Sequence, residues 1–134
     1  MKTLLKFINT EMKTVGIDYH FGVNEKEKLI YPYFVGDLLP VDPISEDGRK
    51  EFTLVLDGFN RKSDVTEGTL FELLEVTEKI EEHFPHIGGR TAIVDNQAIA
   101  VFYCSCQPVD SGNPALQKVQ INLSIKTWKG GNKE

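Results

Sequence analysis

Between Val119 and Lys126 the chain alternates without a break. Val119, Ile121, Leu123 and Ile125 are aliphatic, and Gln120, Asn122, Ser124 and Lys126 are polar. Successive side chains of a strand point to opposite faces, whereas a helix would scatter this pattern around its circumference. The segment therefore reads as a strand with one buried and one wet face, part of a sheet covered on one side only. Other parts of the chain must supply the cover.

Two segments have the helical period to do so. Leu4, Leu5, Ile8, Met12 and Val15 fall near one face of a helix over Met1–Val15, with Lys2, Lys6, Asn9 and Lys13 mainly opposite and Gly16 as its stop. From Thr69, the residues Leu70, Leu73, Leu74, Thr77, Ile80 and Phe84 line a second helix. Thr69 with Glu72 fits a capping box, Asp64 and Thr66 are alternative starts, and Pro85 with Gly88-Gly89 ends the helix.

The remaining strands are read from shorter patterns. Leu29 to Val35 is apolar but holds Pro32, which makes it an edge strand or kinks it, and a short strand around Tyr19 to Val23 precedes it. Phe52, Leu54 and Leu56 alternate with Thr53, Val55 and Asp57, and Asp57-Gly58 with Asn60 to Ser63 ends that strand in a polar loop. Thr91 to Cys106 is a strand with a hairpin or a bulge near Asp95-Asn96-Gln97. The predicted fold is one α+β domain over 1–134 in two layers, order α-β-β-α-β-β. Both amphipathic helices pack on one face of a mostly antiparallel sheet. The ordered core is expected over about 3–128, with 129–134 a flexible tail.

Composition narrows the function. No run approaches the roughly 18 apolar residues of a membrane span, and the first residues develop no signal-peptide core, so a cytoplasmic origin is expected. A net charge of −5 argues against coating nucleic acid by neutralising phosphates. That charge has an address: Asp64 to His86 holds seven acids and one base, a balance of −6, which leaves +1 for the rest of the chain. The acidic helix suits a solvated outer face, a DNA-repelling lumen or a basic neighbouring subunit. Cys104 and Cys106 are the two cysteines. In a strand they share a face about 7 Å apart, too far for a disulfide, and read as small buried side chains.

Catalytic parts are scarce. No glycine spacing matches a phosphate-binding loop, and Gly88-Gly89-Arg90 reads as a helix stop before it reads as an anion nest. His83, His86, Cys104 and Cys106 lack zinc spacing, and no nucleophile elbow accompanies Asp18, His20, His83 or His86. The expectation is no enzyme, no cofactor and no metal. What remains is surface for contact. The candidates are Asp42, Glu46, Asp47, Arg49 and Lys50 in one charged loop and Asn60, Arg61 and Lys62 in a second, with Glu75, Glu78 and Glu82 on the acidic helix and Trp128 at the end of the last strand.

With its N-terminal helix, Ile30-Tyr31-Pro32-Tyr33-Phe34, Phe52-Thr53-Leu54-Val55-Leu56-Asp57-Gly58, the Thr69 to Phe84 helix and the closing Gln117 to Trp128 strand, the chain resembles the tail-completion proteins of long, non-contractile-tailed bacteriophages. These are the tail terminators and tail-to-head joining proteins, those of Bacillus siphophages in particular. The resemblance implies a structural virion subunit that can be monomeric in isolation and forms a six-membered ring at the head-proximal end of the tail tube. The tail-tube protein would lie on one side and the head completion or connector protein on the other. Double-stranded DNA would pass through the ring without specific binding, and no membrane is involved. Two other readings stay open: a small ligand-binding domain or enzyme using His83 to Arg90, and an adaptor that takes a peptide at its sheet edge.

Overall fold

The computed structural model describes residues 2–26, 30–41, 49–61, 69–113 and 115–129. Along the chain these form α1 (Lys2–Val15), β1 (Tyr19–Phe21), β2 (Tyr33–Val41), β3 (Arg49–Arg61), α2 (Thr69–His83), β4 (Arg90–Val94), β5 (Gln97–Val109) and β6 (Leu116–Lys129). The six strands make one sheet in the order β1-β2-β3-β6-β5-β4, curled into a half-barrel. Every neighbouring pair is antiparallel except β1 with β2, which is parallel. Among the described residues no helix is long and apolar enough to cross a membrane.

The inward face of the sheet is continuous across four strands. In one row Leu38, Leu54, Leu123 and Tyr103 are partners, and in the next Gly36, Leu56, Ile121 and Cys106. Val119, Ile121, Leu123 and Ile125 are all fully buried, as the period-two pattern requires. Leu4, Phe7, Ile8 and Met12 of α1 and Leu73 and Ile80 of α2 join them in one hydrophobic cluster. Each side chain of this size contributes about 1.5–3 kcal/mol by leaving water, so this cluster is what holds the sheet in its curled form.

The structure corrects the expected two-layer α-β-β-α-β-β domain. The chain is mostly sheet, with six strands in a half-barrel. Of the hairpin or bulge expected near Asp95-Asn96-Gln97 the structure has the hairpin: 91–106 belongs to two strands, with Asp95 and Asn96 both at positive φ (51° and 61°) in a two-residue turn. The short strand expected around Tyr19 to Val23 is the three-residue β1, which the α-β-β-α-β-β order leaves out, its parallel pairing fixed by Phe34 N–H donating to the Asp18 carbonyl and Gly22 N–H to that of Gly36. Strand β2 starts after Pro32 and runs through Pro40 to Val41. Proline is tolerated there because β1 pairs only with Phe34 to Gly36, so the missing Pro40 N–H falls on an open edge. Strand β3 does not end at Asp57-Gly58; it continues to Arg61.

The cysteines are corrected as well. A bulge between Tyr103 and Ser105 takes Cys104 out of the alternation, so Cys104 is exposed while Cys106 points inward and is half-buried. The two thiols are free and do not share a face. Of the expected tail, Lys129 closes β6, and 130–134 lie outside the described residues.

Candidate functional site

The structure divides the expected contact residues between two places. At one end of the sheet Arg49 is the cross-strand partner of Trp128, and Lys50 that of Thr127. Trp128 is half-buried between Arg49 on β3 and Ala98 on β5. Arg49 is held by Glu51, Nε to Oε2 3.4 Å. The same outer row continues from Ala98 to Ile93 on β4, which is 81% exposed. The second place is the outer side of α2, where Glu75, Glu78 and Glu82 are exposed together with Glu72 and Glu81.

Asn60 is not at the surface. It is buried at the end of β3, where its Nδ2 donates to the Thr69 carbonyl (2.9 Å) and to Glu72 Oε1 (3.3 Å), tying that strand to the first turn of α2. Its neighbour Arg61 is exposed. Asp42, Glu46, Asp47 and Lys62 lie outside the described residues.

The His83 to Arg90 region is engaged in holding the fold. Glu11 of α1 is buried, and its Oε1 sits 2.8 Å from His83 Nε2 and 2.5 Å from Arg90 Nε. One carboxylate thus ties α1 to the end of α2 and the start of β4. His86 Nδ1 meets the Tyr103 carbonyl at 3.0 Å. Burial by itself would raise the Glu11 pKa, but the hydrogen bonds and positive charges of Arg90 and His83 outweigh it and hold the carboxyl below the usual glutamate range. Glu11 is absent from the residues that the apolar pattern selects, yet position 11 lies on the same three-and-four spacing as Leu4, Ile8 and Val15.

A stability prediction follows from that clamp. The folded pKa of Glu11 is below its unfolded value, so its contribution is fully present above the unfolded pKa and is lost as pH falls through the folded one. In urea unfolding at neutral pH, Glu11→Gln should be less stable than the parent by about 2 kcal/mol, a figure kept modest because the Arg90 side chain is half exposed to solvent. The gap should close as the pH is lowered below about 4. A gap of constant size down to pH 3 would show that the Glu11 charge does not stabilise the fold.

Two depressions flank α2. One is shallow and lined by Val15, Lys79, Glu82 and His83. The other is a trough of about 580 Å³ between α2 and β5, lined by Phe71, Leu74, Glu75, Thr77, Glu78 and Cys106. Phe71 is 68% exposed, a large apolar side chain on the polar side of α2, outside the apolar face that the helical period selects. Among the described residues no group of three or more His, Cys, Asp or Glu side chains is placed to hold a metal ion.

The fold is a six-stranded half-barrel with two helices, each of which gives one face to the core. Fifteen chains of solved structures match it. One of them superposes with a TM-score of 0.60 at 14% identity over 93% of this chain and 89% of its own. At that identity the likeness establishes the fold alone. No family model and no curated protein matches the chain.

Proposed function

We propose that this protein is a structural assembly subunit of a long-tailed bacteriophage, a tail-to-head joining or tail-terminator protein. In this reading, copies form a ring at the head-proximal end of the tail tube. The ring meets the tail-tube protein on one side and the head connector on the other, and DNA passes through without specific binding. The reading places the subunit in the virion and gives it no enzymatic role, the His83 to Arg90 region serving the clamp on Glu11.

The observation that carries the reading is the exposure of large apolar side chains at both edges of the sheet. Ile87 and Ile93 are exposed on and before β4, and Phe21, Val23 and Ile30 on and after β1. Exposed apolar groups gathered at edges mark contact surfaces, and an open edge is a template for another chain. The two edges differ in sequence, so contact of one copy's β1 edge with the next copy's β4 edge is head-to-tail, and a head-to-tail contact closes into a ring when its rotation allows. Charge agrees with unlike contact faces: α1 exposes Lys2, Lys6 and Lys13, and α2 exposes Glu72, Glu75, Glu78, Glu81 and Glu82.

Sedimentation velocity of the protein, alone and with purified tail tubes, tests this. The expected result is a ring or a tail-bound species. Ile93→Lys should keep the parental melting temperature, since the side chain is in water, and weaken assembly at least tenfold. A wild-type protein that stays monomeric and leaves tails unbound at every concentration would sink the proposal, as would Ile93→Lys and Phe21→Lys variants that both assemble normally.

A further inference from the structure

Strand β5 is thirteen residues long, but β4 pairs with it only from Gln97 to Val101. Beyond that, Tyr103 N–H donates to the Phe84 carbonyl at 2.9 Å on the same side. From Cys104 to Val109 no strand lies on this side among the described residues. Ladder groups alternate between neighbours, so the Tyr103 N–H points to the open side, and the extra residue at the bulge shifts the alternation by one. Cys106 and Pro108 therefore face the opening. A proline there agrees with this, because it has no N–H to leave unpaired. The open stretch offers the N–H and carbonyl of Cys106 and the carbonyl of Pro108.

Across from this edge runs the trough already described. Its far wall is Phe71 and Leu74 of α2, flanked by the exposed carboxylates of Glu75 and Glu78. The Thr77 hydroxyl is taken up by the Leu74 carbonyl at 2.7 Å, so the wall offers apolar contact and negative charge. Lys79 is the single lysine or arginine on α2.

We propose that this trough docks an extended, basic segment of a partner protein, which adds to β5 as a short extra strand. The open backbone of β5 specifies an extended occupant, because its groups are satisfied by another chain at strand spacing. Phe71 and Leu74 call for apolar side chains on one face of that segment, and Glu75 and Glu78 for lysine or arginine beside them. The occupant thus alternates basic and apolar residues. This inference does not rest on the ring reading, which uses the edges at β1 and β4.

The probe is the peptide acetyl-Lys-Val-Lys-Val-Lys-Val-Lys-amide, titrated into the ¹⁵N-labelled full chain, with its glutamate counterpart as control. The expected result is amide shifts confined to Phe71 to Glu78 and Cys104 to Val109, with exchange of the Cys106 amide slowed at least tenfold at saturation. Phe71→Lys, and separately Glu75→Lys with Glu78→Lys, should weaken binding tenfold or more, and both variants should melt as the parent does because the altered side chains are exposed. Absence of binding overturns the proposal. So do equal binding of the glutamate peptide, shifts centred elsewhere, and variants that bind as well as the parent.

Discussion

Leu123→Asp is expected to abolish cooperative folding: no sigmoidal urea transition in the fluorescence of Trp128, and no near-ultraviolet dichroism of the native kind. Leu123 is fully buried between Leu54 on β3 and Tyr103 on β5, at the centre of the inward face. Removing a buried leucine costs about 2–5 kcal/mol, and an isolated carboxylate in its place adds several more unless it takes up a proton. A domain of this kind has about 5–15 kcal/mol of net stability in total, so the two costs together consume it. The neighbouring position is the control. Ser124 faces outward between Thr53 and Phe102 and is partly exposed, so Ser124→Asp should change stability by no more than about 0.5 kcal/mol. A Leu123→Asp protein that unfolds at the parental midpoint would mean that this strand does not face a core.

That pair of positions also shows what was legible in the sequence. The strict alternation around Leu123 reports a strong local rule, and the helical faces around Ile8 and Leu73 report another; in each case the buried side chains are the ones the period selects. What stayed hidden was set by distant partners. A short strand around Tyr19 to Val23 is expected from the sequence, but its parallel pairing with β2 comes from Asp18 and Gly22 bonding to that strand's backbone. The curl of the sheet and its six strands depend on long pairings that no window of residues contains. The bulge at Cys104 breaks the period of two in mid-strand, so a pattern that places both cysteines on one face fails there. The contact surface was half legible. Exposed acids at Glu75 and Glu78 follow from the helical period, but the trough they border needs β5 to extend beyond β4.

Gly58 is the sharpest case of a residue whose meaning is tertiary. Read locally, Asp57-Gly58 ends a strand; in the fold, Gly58 lies inside β3, paired with Phe34 on one side and Val119 on the other. A Cβ at this position would sit 2.3 Å from Cε2 and 2.8 Å from Cδ2 of the Phe34 ring, which is itself fully buried. The ring covers the bare backbone, so the glycine is needed for close approach and not for a turn. Gly58→Ala is therefore expected to cost about 2–4 kcal/mol, because the ring has no room to retreat without leaving its place in the core. Phe34→Ala alone should cost about 3–5 kcal/mol through the cavity it leaves. In that background the added methyl meets no ring, and Gly58→Ala should cost no more than about 1 kcal/mol, a coupling of about 1–3 kcal/mol between the two sites. Urea midpoints of the four proteins measure it. Strict additivity would show that the ring and the glycine do not share the space the fold assigns them.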